Sequence, residues 1–314
     1  MGTDYSFVGG DQTDGEFLPG QRSSGDVYAS SDGEDVKLRN LLQEAVRAYV
    51  GPDTGVLLSG GIDSSTVAYF APELPLFTGY YQGAAYDERP WAQLMAEGRE
   101  WHQIEITPQD FIENIDACLA SLEPPFAGPG TFGQYMVAKY VSQHVGTVLS
   151  GEGGDELFGG YARLHMIAGI PLPEGYEDYE LPEGYPLDLT EALHWEFTEN
   201  LPALLRVDAQ VTQANGLTAI APMTESPELI EHVLAQPPRE RVGKVLLREA
   251  MRDLLPNSII YRRDKRGFPV PYVEWAQGPL KDFIGTRIGY IPDPDKPWDR
   301  KWWLDLCQGQ TALV

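Results

Sequence analysis

Two short stretches of this sequence have the residue types of a phosphate-binding site. In the first, "GVLLSGGIDSS" (55–65), an apolar run ends in Ser-Gly-Gly, an acid and two serines follow, and a helical apolar pattern then resumes. Glycines let backbone N–H groups approach an anion, and a helix N-terminus adds a favourable dipole. Asp63 would repel a bare phosphate, so we expect Mg²⁺ between them. The stretch therefore predicts a site for magnesium and phosphate.

The second stretch, "TVLSGEGGDELFGGYARLH" (147–165), repeats this design of apolar run, Ser-Gly, acids and glycines. It supplies Glu152, Asp155 and Glu156. Two such loops at the ends of strands can face each other across a nucleotide. We therefore expect Asp63 and Asp155 to share one magnesium–pyrophosphate cluster.

The elements that position these loops can be predicted from the hydrophobic pattern. Four strand-like runs alternate with four helix-like runs, which predicts an α/β fold with a twisted parallel sheet and covering helices. A further helical pattern precedes the first strand. The strand-like runs are 55–59, 75–81, 102–106 and 146–151, and the helix-like runs lie around 34–51, 64–70, 87–99, 110–122 and 132–143.

The expected organisation is a leader at 1–34, rich in Gly, Ser and Asp, followed by one domain at 35–314. Within that domain we expect a nucleotide-binding α/β part at 35–168, then a Pro- and Gly-rich surface loop at 169–188. No strand–helix alternation returns after this loop. We therefore expect a C-terminal helical subdomain, mostly within 189–288, and an irregular tail at 289–314.

The charge balance excludes some classes of partner. The 314 residues include 47 Asp and Glu against 23 Lys and Arg, a net charge of −24. This argues against nucleic acid or an anionic membrane as the main partner. We find no signal-peptide pattern, no run of 18 apolar residues and no CxxC pair, so we expect a cytoplasmic protein. The acidic surface is interpreted as a solvated face, with docking of a basic partner as the alternative.

The motifs together resemble a known family. The first loop fits neither GxxxxGK(S/T) nor GxGxxG, but "SGGIDSS" is similar to the pyrophosphate loop (PP-loop) of the ATP-pyrophosphatase group. Five stretches, in order, resemble the synthetase domain of the asparagine synthetase family, which implies an adenine nucleotide alpha-hydrolase-like fold. They are "LLSGGIDSS", "YDERPWAQLMAEG", "VLSGEGGDELFGGY", "GKVLLREAMRDLLP" and "RRDKRGFPVP".

This resemblance implies an amide ligase that uses ATP and Mg²⁺. ATP and a substrate carboxylate would form an acyl-adenylate and pyrophosphate, and an amine, usually ammonia, would then give an amide and AMP. Asp63 and Asp155 would be the metal ligands. The residues assigned to ATP and pyrophosphate are Leu58, Ser59, Gly60, Gly61, Asp63, Ser64, Ser65, Thr78, Gly79, Ser150, Gly151 and Asp155.

Two lysines, Lys244 and Lys265, match the family's catalytic basic residues. Lys265 lies in "YRRDKRGFP", the one basic cluster of an acidic chain. The reacting phosphate and the leaving pyrophosphate need positive charge in a site with little water. The alternative interpretation of the cluster is a solvated basic patch, made by Arg262, Arg263 and Arg266.

The residue at position 152 distinguishes two groups of enzymes that this sequence resembles. Asparagine synthetases have Glu in "SGEG", whereas the similar β-lactam-forming enzymes have Tyr there. Glu152 therefore favours attack by a separate amine over ring closure. It would accept a proton from that amine or bind a cationic group of the substrate.

The sequence departs from the family at two places. Glutamine-dependent members have a catalytic Cys at position 2 and a glutaminase domain, whereas this sequence has Gly2 and a leader in which "GEFLPGQ" is faintly similar to the family's interdomain segment. We therefore expect free ammonia, a separate glutaminase subunit or another amine. In "ANGLTAIAPMTES" (214–226), neutral Thr218, Ile220 and Thr224 stand where the family has Glu, Arg and Asp. A carboxylate substrate other than aspartate, a rearranged helical subdomain and partial decay all remain open.

Two other classes of function stay open at this point. One is a PP-loop ATPase that modifies a nucleotide or tRNA. Its sulfur-transferring branch would need catalytic cysteines or a CxxC, and a tRNA binder would also need a basic face. A decayed ligase would persist as a binding or scaffold subunit. Exchange of pyrophosphate into ATP would separate these classes, because a scaffold catalyses none.

Overall fold

The computed structural model describes most of the chain from residue 32 onward. The expected leader lies outside the described residues, apart from its last three positions, which begin the first helix. The described ranges are 32–83, 87–124, 127–176, 179–265, 267–268, 270–293 and 301–311.

Five parallel strands form one sheet in the order β3-β2-β1-β4-β5. Their apolar and β-branched residues suit a sheet that is buried on both faces. The chain builds outward from β1 to β3 and then returns to the other side of β1 with β4. The loops after β1 and β4 therefore start side by side, at the point where the strand order reverses. The strands are β1 (Thr54–Leu57), β2 (Leu76–Tyr80), β3 (Trp101–Glu105), β4 (Thr147–Leu149) and β5 (Thr218–Ile220).

The predicted parallel α/β sheet is confirmed, and its fifth strand, β5, comes from the part of the chain that was expected to be mostly helical. β5 pairs with β4 in parallel, with Leu149 opposite Ile220. It is only three residues long, and Thr218 at its start is exposed. So short a strand has no alternating pattern that a sequence could display.

Sixteen α-helices surround the sheet in the described parts of the chain. A π-helical turn (Glu196–Asn200) and two 3₁₀ turns (Pro222–Thr224 and Val242–Lys244) connect some of them. The helices are α1 (Asp32–Arg47), α2 (Ile62–Phe70), α3 (Arg89–Ala96), α4 (Pro108–Ala120), α5 (Gly130–Val141), α6 (Gly154–Phe158), α7 (Ala162–Ala168), α8 (Leu189–Trp195), α9 (Leu201–Gln213), α10 (Pro227–Leu234), α11 (Pro238–Arg241), α12 (Val245–Met251), α13 (Asn257–Ile260), α14 (Tyr272–Gln277), α15 (Lys281–Ile288) and α16 (Lys301–Thr311).

The two faces of the sheet bury separate apolar cores. Successive residues of a strand point to opposite faces. Val56 and Leu76 accordingly join a core that includes α1, α2 and α12. Their neighbours Leu57 and Phe77 face a second core with α4, α5 and α16. Helices on both faces leave the carboxyl ends of the strands as the open edge of the sheet.

The tail is not irregular as expected, because residues 301–311 form α16. Trp302 and Trp303 in its first turn are almost fully buried, and the Trp303 indole donates to the Ala127 carbonyl at 2.7 Å. Leu306 and Cys307 join the same core. No helix within the described ranges is long and apolar enough to cross a membrane.

Candidate active site

The first loop turns sharply between β1 and α2. Gly60 has a left-handed φ of +71°, and a Cβ there would lie only 2.5 Å from the Cβ of Trp91, so glycine is required. The Ser59 N–H donates to the Ser64 Oγ at 3.1 Å, and the Ser64 Oγ donates to the Gly61 carbonyl at 3.2 Å. These bonds close the loop on the first turn of α2 and keep that N-terminus at the open edge of the sheet.

The second loop packs directly against the first. A Cβ at Gly151 would lie 2.6 Å from the Ser64 backbone nitrogen, and one at Gly154 would lie 2.4 Å from the Asp63 Oδ1. The expected proximity of the two loops is therefore observed. Ser150 anchors the second loop to the sheet, because its N–H donates to the Ile220 carbonyl of β5 at 2.9 Å.

Asp63 and Asp155 share one ammonium group. The Nζ of Lys244 lies 2.5 Å from the Asp63 Oδ2 and 2.8 Å from the Asp155 Oδ1. Burial raises the pKa of the Asp63 carboxyl, against the opposing effect of Lys244. Burial alone would lower the pKa of Lys244, but the two carboxylates raise it. Lys244 is therefore a fixed positive charge between the loops.

The backbone at Lys244 is itself unusual. Its φ of +60° is the one left-handed value of a non-glycine residue among the described residues, and Gly243 before it has φ +74°. Arg248 supports this turn, since its Nε donates to the Gly243 carbonyl at 2.9 Å. Strained backbone of this kind costs about 1 kcal/mol and often occurs at functional sites.

Lys265 lies over the first loop. Its Cε is 3.2 Å from where a Cβ of Gly61 would be, and its Nζ pairs with the Glu88 Oε2 at 2.8 Å. Arg262 also pairs with Glu88, at 3.1 Å, and its side chain is only 6% exposed. The interpretation as a solvated patch is therefore wrong for Arg262. Arg266 lies outside the described residues.

Glu152 belongs to a group of three carboxylates whose pKa values are raised. Burial raises the pKa of Glu152 to about 8, and the charges of Glu156 and Asp208 add to the rise. Burial also raises the pKa values of Glu156 and Asp208, to about 7 and about 6. None of the three forms an ion pair with any residue in the described part of the chain. Leu201 of α9 packs on Gly153, and Asp208 lies two helical turns further along.

Two residues assigned to the nucleotide are engaged within the fold. The Thr78 hydroxyl donates to the Leu58 carbonyl at 2.7 Å and accepts from the Trp101 indole at 2.8 Å. Gly79 makes room for Val137, whose Cγ2 would lie 2.4 Å from a Cβ at that position. Any contact that these positions make with ATP would therefore come from the backbone. Ser65 is fully buried and its Oγ has no hydrogen-bond partner.

Glu88, Arg248 and Asp208 were not among the predicted site residues. Glu88 lies in the quoted "YDERPWAQLMAEG", and an acid directly before a helix is usually interpreted as a cap. Two of the three neutral substitutions, Ile220 and Thr224, lie beside the second loop, whereas Thr218 begins β5 opposite Thr147. The Thr224 Cγ2 is only 2.1 Å from where a Cβ of Gly153 would be, and Ile220 ends β5.

The fold and the paired glycine loops define an α/β protein of the PP-loop type. A family model described as asparagine synthase matches residues 37–174 and 182–298. The chain belongs to the asparagine synthase family.

Similar proteins include larger enzymes. The glutamine-hydrolysing asparagine synthetase 1 of Bacillus subtilis is 24% identical over 342 residues, which cover 83% of this chain and 54% of that protein. The glutamine-hydrolysing asparagine synthetase of Cricetulus griseus is 31% identical over 264 residues, covering 75% and 44%. The chain thus spans about half the length of the curated relatives it matches. A solved NMN synthetase of Francisella tularensis aligns with 77% of this chain and 99% of its own, at 15% identity and a TM-score of 0.28, too low to support an argument.

Proposed function

We propose that this chain is an ATP-dependent ligase that activates a carboxylate as an acyl-adenylate, releases pyrophosphate and then forms an amide. One observation carries the proposal. Asp63, Asp155 and Lys244 converge where two glycine loops meet at the carboxyl edge of a parallel sheet. Family membership supports the same reaction class.

The two aspartates suit a magnesium ion that is also bound by phosphate. The Asp63 Oδ1 is buried without a hydrogen-bond partner. No group of three His, Cys, Asp or Glu residues is arranged to hold a metal among the described residues. Asp63 and Asp155 would hold Mg²⁺ together with phosphate oxygens, which is the usual arrangement for this ion. When bound, Mg²⁺ would neutralise charge on the pyrophosphate.

In the first step, the residues of the loops would hold the phosphates. The backbone N–H groups of the first loop and the N-terminus of α2 would bind the pyrophosphate portion of ATP. Lys244 keeps Asp63 and Asp155 together despite their like charges. Lys265, beside Gly61, would stabilise the charge that grows on the leaving pyrophosphate.

In the second step, Glu152 would act as the general base. With a pKa of about 8, it takes a proton from an attacking amine more readily than an ordinary carboxylate would. The negative charges of Glu156 and Asp208 would also favour the approach of a protonated amine. We propose a small carboxylate and ammonia or another amine as substrates, with a separate glutaminase as a possible source of ammonia.

Exchange of labelled pyrophosphate into ATP tests the first step. The assay uses Mg²⁺, no amine and a panel of carboxylates that includes aspartate. We expect exchange with one acid of the panel, and loss of exchange in Asp63→Asn and Asp155→Asn variants that remain folded. Exchange with aspartate would mean an asparagine-forming enzyme. No exchange with any acid, together with no effect of pyrophosphate on thermal stability, would favour the scaffold hypothesis.

A further inference from the structure

Glu88 is a buried carboxylate that binds two basic side chains of the segment 262–265, those of Arg262 and Lys265. It is 7% exposed at the start of α3. Its Oε2 lies 2.8 Å from the Lys265 Nζ, and its Oε1 lies 3.1 Å from the Arg262 Nη2. Each carboxylate oxygen thus holds one cation, although the two basic residues lie more than 170 positions further along the chain.

The position of Glu88 is set by the first loop. The Glu88 carbonyl accepts from the backbone N–H groups of Trp91 and Ala92, at 3.1 Å each. Trp91 and Ala92 in turn form the surface on which Gly60 packs, because a Cβ at Gly60 would lie within 2.7 Å of both. The first turn of α3 therefore holds the Glu88 carboxylate at a fixed place beside the loop.

Arg262 completes this attachment from the other side. Its guanidinium stacks on the Trp91 ring at 4.5 Å, and its Nη1 donates to the Gly60 carbonyl at 3.4 Å. A planar guanidinium suits such a stacked and bridging role. Arg262 thus connects the basic segment to the backbone of the first loop. Glu88 is the carboxylate that binds both Arg262 and Lys265 at this point.

Lys265 is the part of this group that remains available to a ligand. Its side chain is 31% exposed, against 6% for Arg262. Arg262 also pairs with Asp264, at 3.0 Å, so the accessible cation of this group is the Lys265 ammonium. A lysine has a long, flexible stem, so an unrestrained ammonium would spread over many positions. A fixed catalytic group loses less entropy when it acts.

We propose that Glu88 is a positioning residue that holds the Lys265 ammonium over the first loop, where it meets the leaving pyrophosphate. This inference rests on the proposed function and adds a residue to it. Glu88 acts through Lys265 and does not touch the substrate.

The test is a double-mutant cycle in the ATP–pyrophosphate exchange assay. Glu88→Gln removes the charge but keeps the shape, and we expect the kcat of exchange to fall by about tenfold to a hundredfold with little change in the KM for ATP. In a Lys265→Ala background, Glu88→Gln should cause no further loss, because its target is gone. Glu88→Asp, which keeps the charge, should restore part of the rate. Glu73→Gln, on an exposed carboxylate that pairs with Arg47, is the matched control and should leave the rate unchanged.

A second readout keeps this inference separate from the proposed function. Magnesium pyrophosphate should raise the Tm of the wild-type chain, and Glu88→Gln should weaken its apparent affinity by the same factor as Lys265→Ala. If the wild type shows no exchange with any carboxylate but is stabilised by magnesium pyrophosphate, acyl-adenylate formation is not supported while this measurement still decides the role of Glu88. Exchange in Glu88→Gln at the wild-type rate or faster would overturn the inference. So would a double variant, Glu88→Gln with Lys265→Ala, whose loss of rate is the product of the two single losses.

Discussion

Two buried carboxylates, Glu196 and Glu156, lie side by side in environments of opposite kinds. Glu196 is fully buried and bidentately paired with Arg163, and it also accepts from the Tyr185 hydroxyl. Glu156 accepts from the Tyr161 hydroxyl, but its Oε2 has no partner. Asn200 donates to both, at 3.0 Å to Glu196 and 3.3 Å to Glu156.

The difference separates a structural role from a functional one. A buried carboxylate normally has a cation and a full set of hydrogen bonds, because an isolated buried charge is costly. Glu196 meets that condition, and its partner Arg163 also stacks 3.9 Å from the Tyr161 ring. Glu156 does not meet it, and the half-buried Glu152 has no ion-pair partner among the described residues. Groups left in this state tend to be those that a ligand completes.

The largest expected effect is on stability, at Glu196, the carboxylate that has a cation and hydrogen-bond donors. Arg163→Met should leave Glu196 as an unpaired buried charge and reduce the free energy of unfolding at pH 8 by about 3–5 kcal/mol. Urea unfolding measures this change. Arg47→Met is the control, since its pair with Glu73 is 44% and 47% exposed, and it should cost at most about 0.5 kcal/mol. A loss below about 1 kcal/mol for Arg163→Met would contradict a structural role for the pair.

Among the carboxylates that have no ion pair, Glu152 offers a test of the reaction itself. Glu152→Gln should separate the two steps of the proposed reaction. We expect amide formation to fall about 100-fold, as for the loss of a general base, while ATP–pyrophosphate exchange stays close to the wild-type rate. The wild-type rate of amide formation should rise with pH through about 8, because Glu152 must lose its proton, and the variant should lack that rise. An equal loss in both steps would show that Glu152 serves ATP binding instead.

Glu156→Gln should stabilise the protein above neutral pH. The pKa of Glu156 is raised to about 7, so the folded chain still binds this proton after the unfolded chain has released it. The resulting cost appears as the pH rises from about 4.5 through about 7 and is fully present above that range. Removing it should add about 1 kcal/mol at pH 8 and nothing at pH 4. Unfolding at both pH values checks this, and a gain at pH 4 would contradict the explanation.

The smallest effect should come from Asp208→Asn. Its charge helps to raise the pKa of Glu152, after that of Glu156. Without the Asp208 charge, the increase in the rate of amide formation with pH should occur about half a pH unit lower. The pH profile of the second step measures this shift. A shift toward higher pH would mean that Asp208 does not act on Glu152 through its charge.

The sequence predicted those parts of the site that depend on local pattern. Gly60, Asp63 and Asp155 stand in loops whose glycines and preceding apolar runs are strong short-range signals, and the sheet brings the loops together because β1 and β4 are neighbours. Lys244 and Lys265 came from the family resemblance, and for Lys265 the basic cluster around it gave further support. Their roles stay predictions, although their positions at the loops agree with them.

The features that the sequence did not predict depend on contacts between distant segments of the chain. Glu88 could not be matched to Arg262 and Lys265 because nothing local marks a pair so far apart. β5 was missed because its three residues are defined by pairing with β4. The burial of the first turn of α16 depends likewise on α4 and on Ala127, which precedes α5.

The order of residues along the chain has a consequence for how the protein is made. The acids Asp63, Glu88 and Asp155 lie in the first half, whereas their partners Lys244, Arg262 and Lys265 lie in the last third. A ribosome delivers the anionic half first, so the nascent chain carries Asp63 and Asp155 without their partner until residue 244 has emerged, and Glu88 without its partners until residues 262–265 have emerged. Contacts of such long range also form slowly. We therefore expect pulsed hydrogen exchange during refolding to protect the amides of β1 and β4 before those of the loops that follow them.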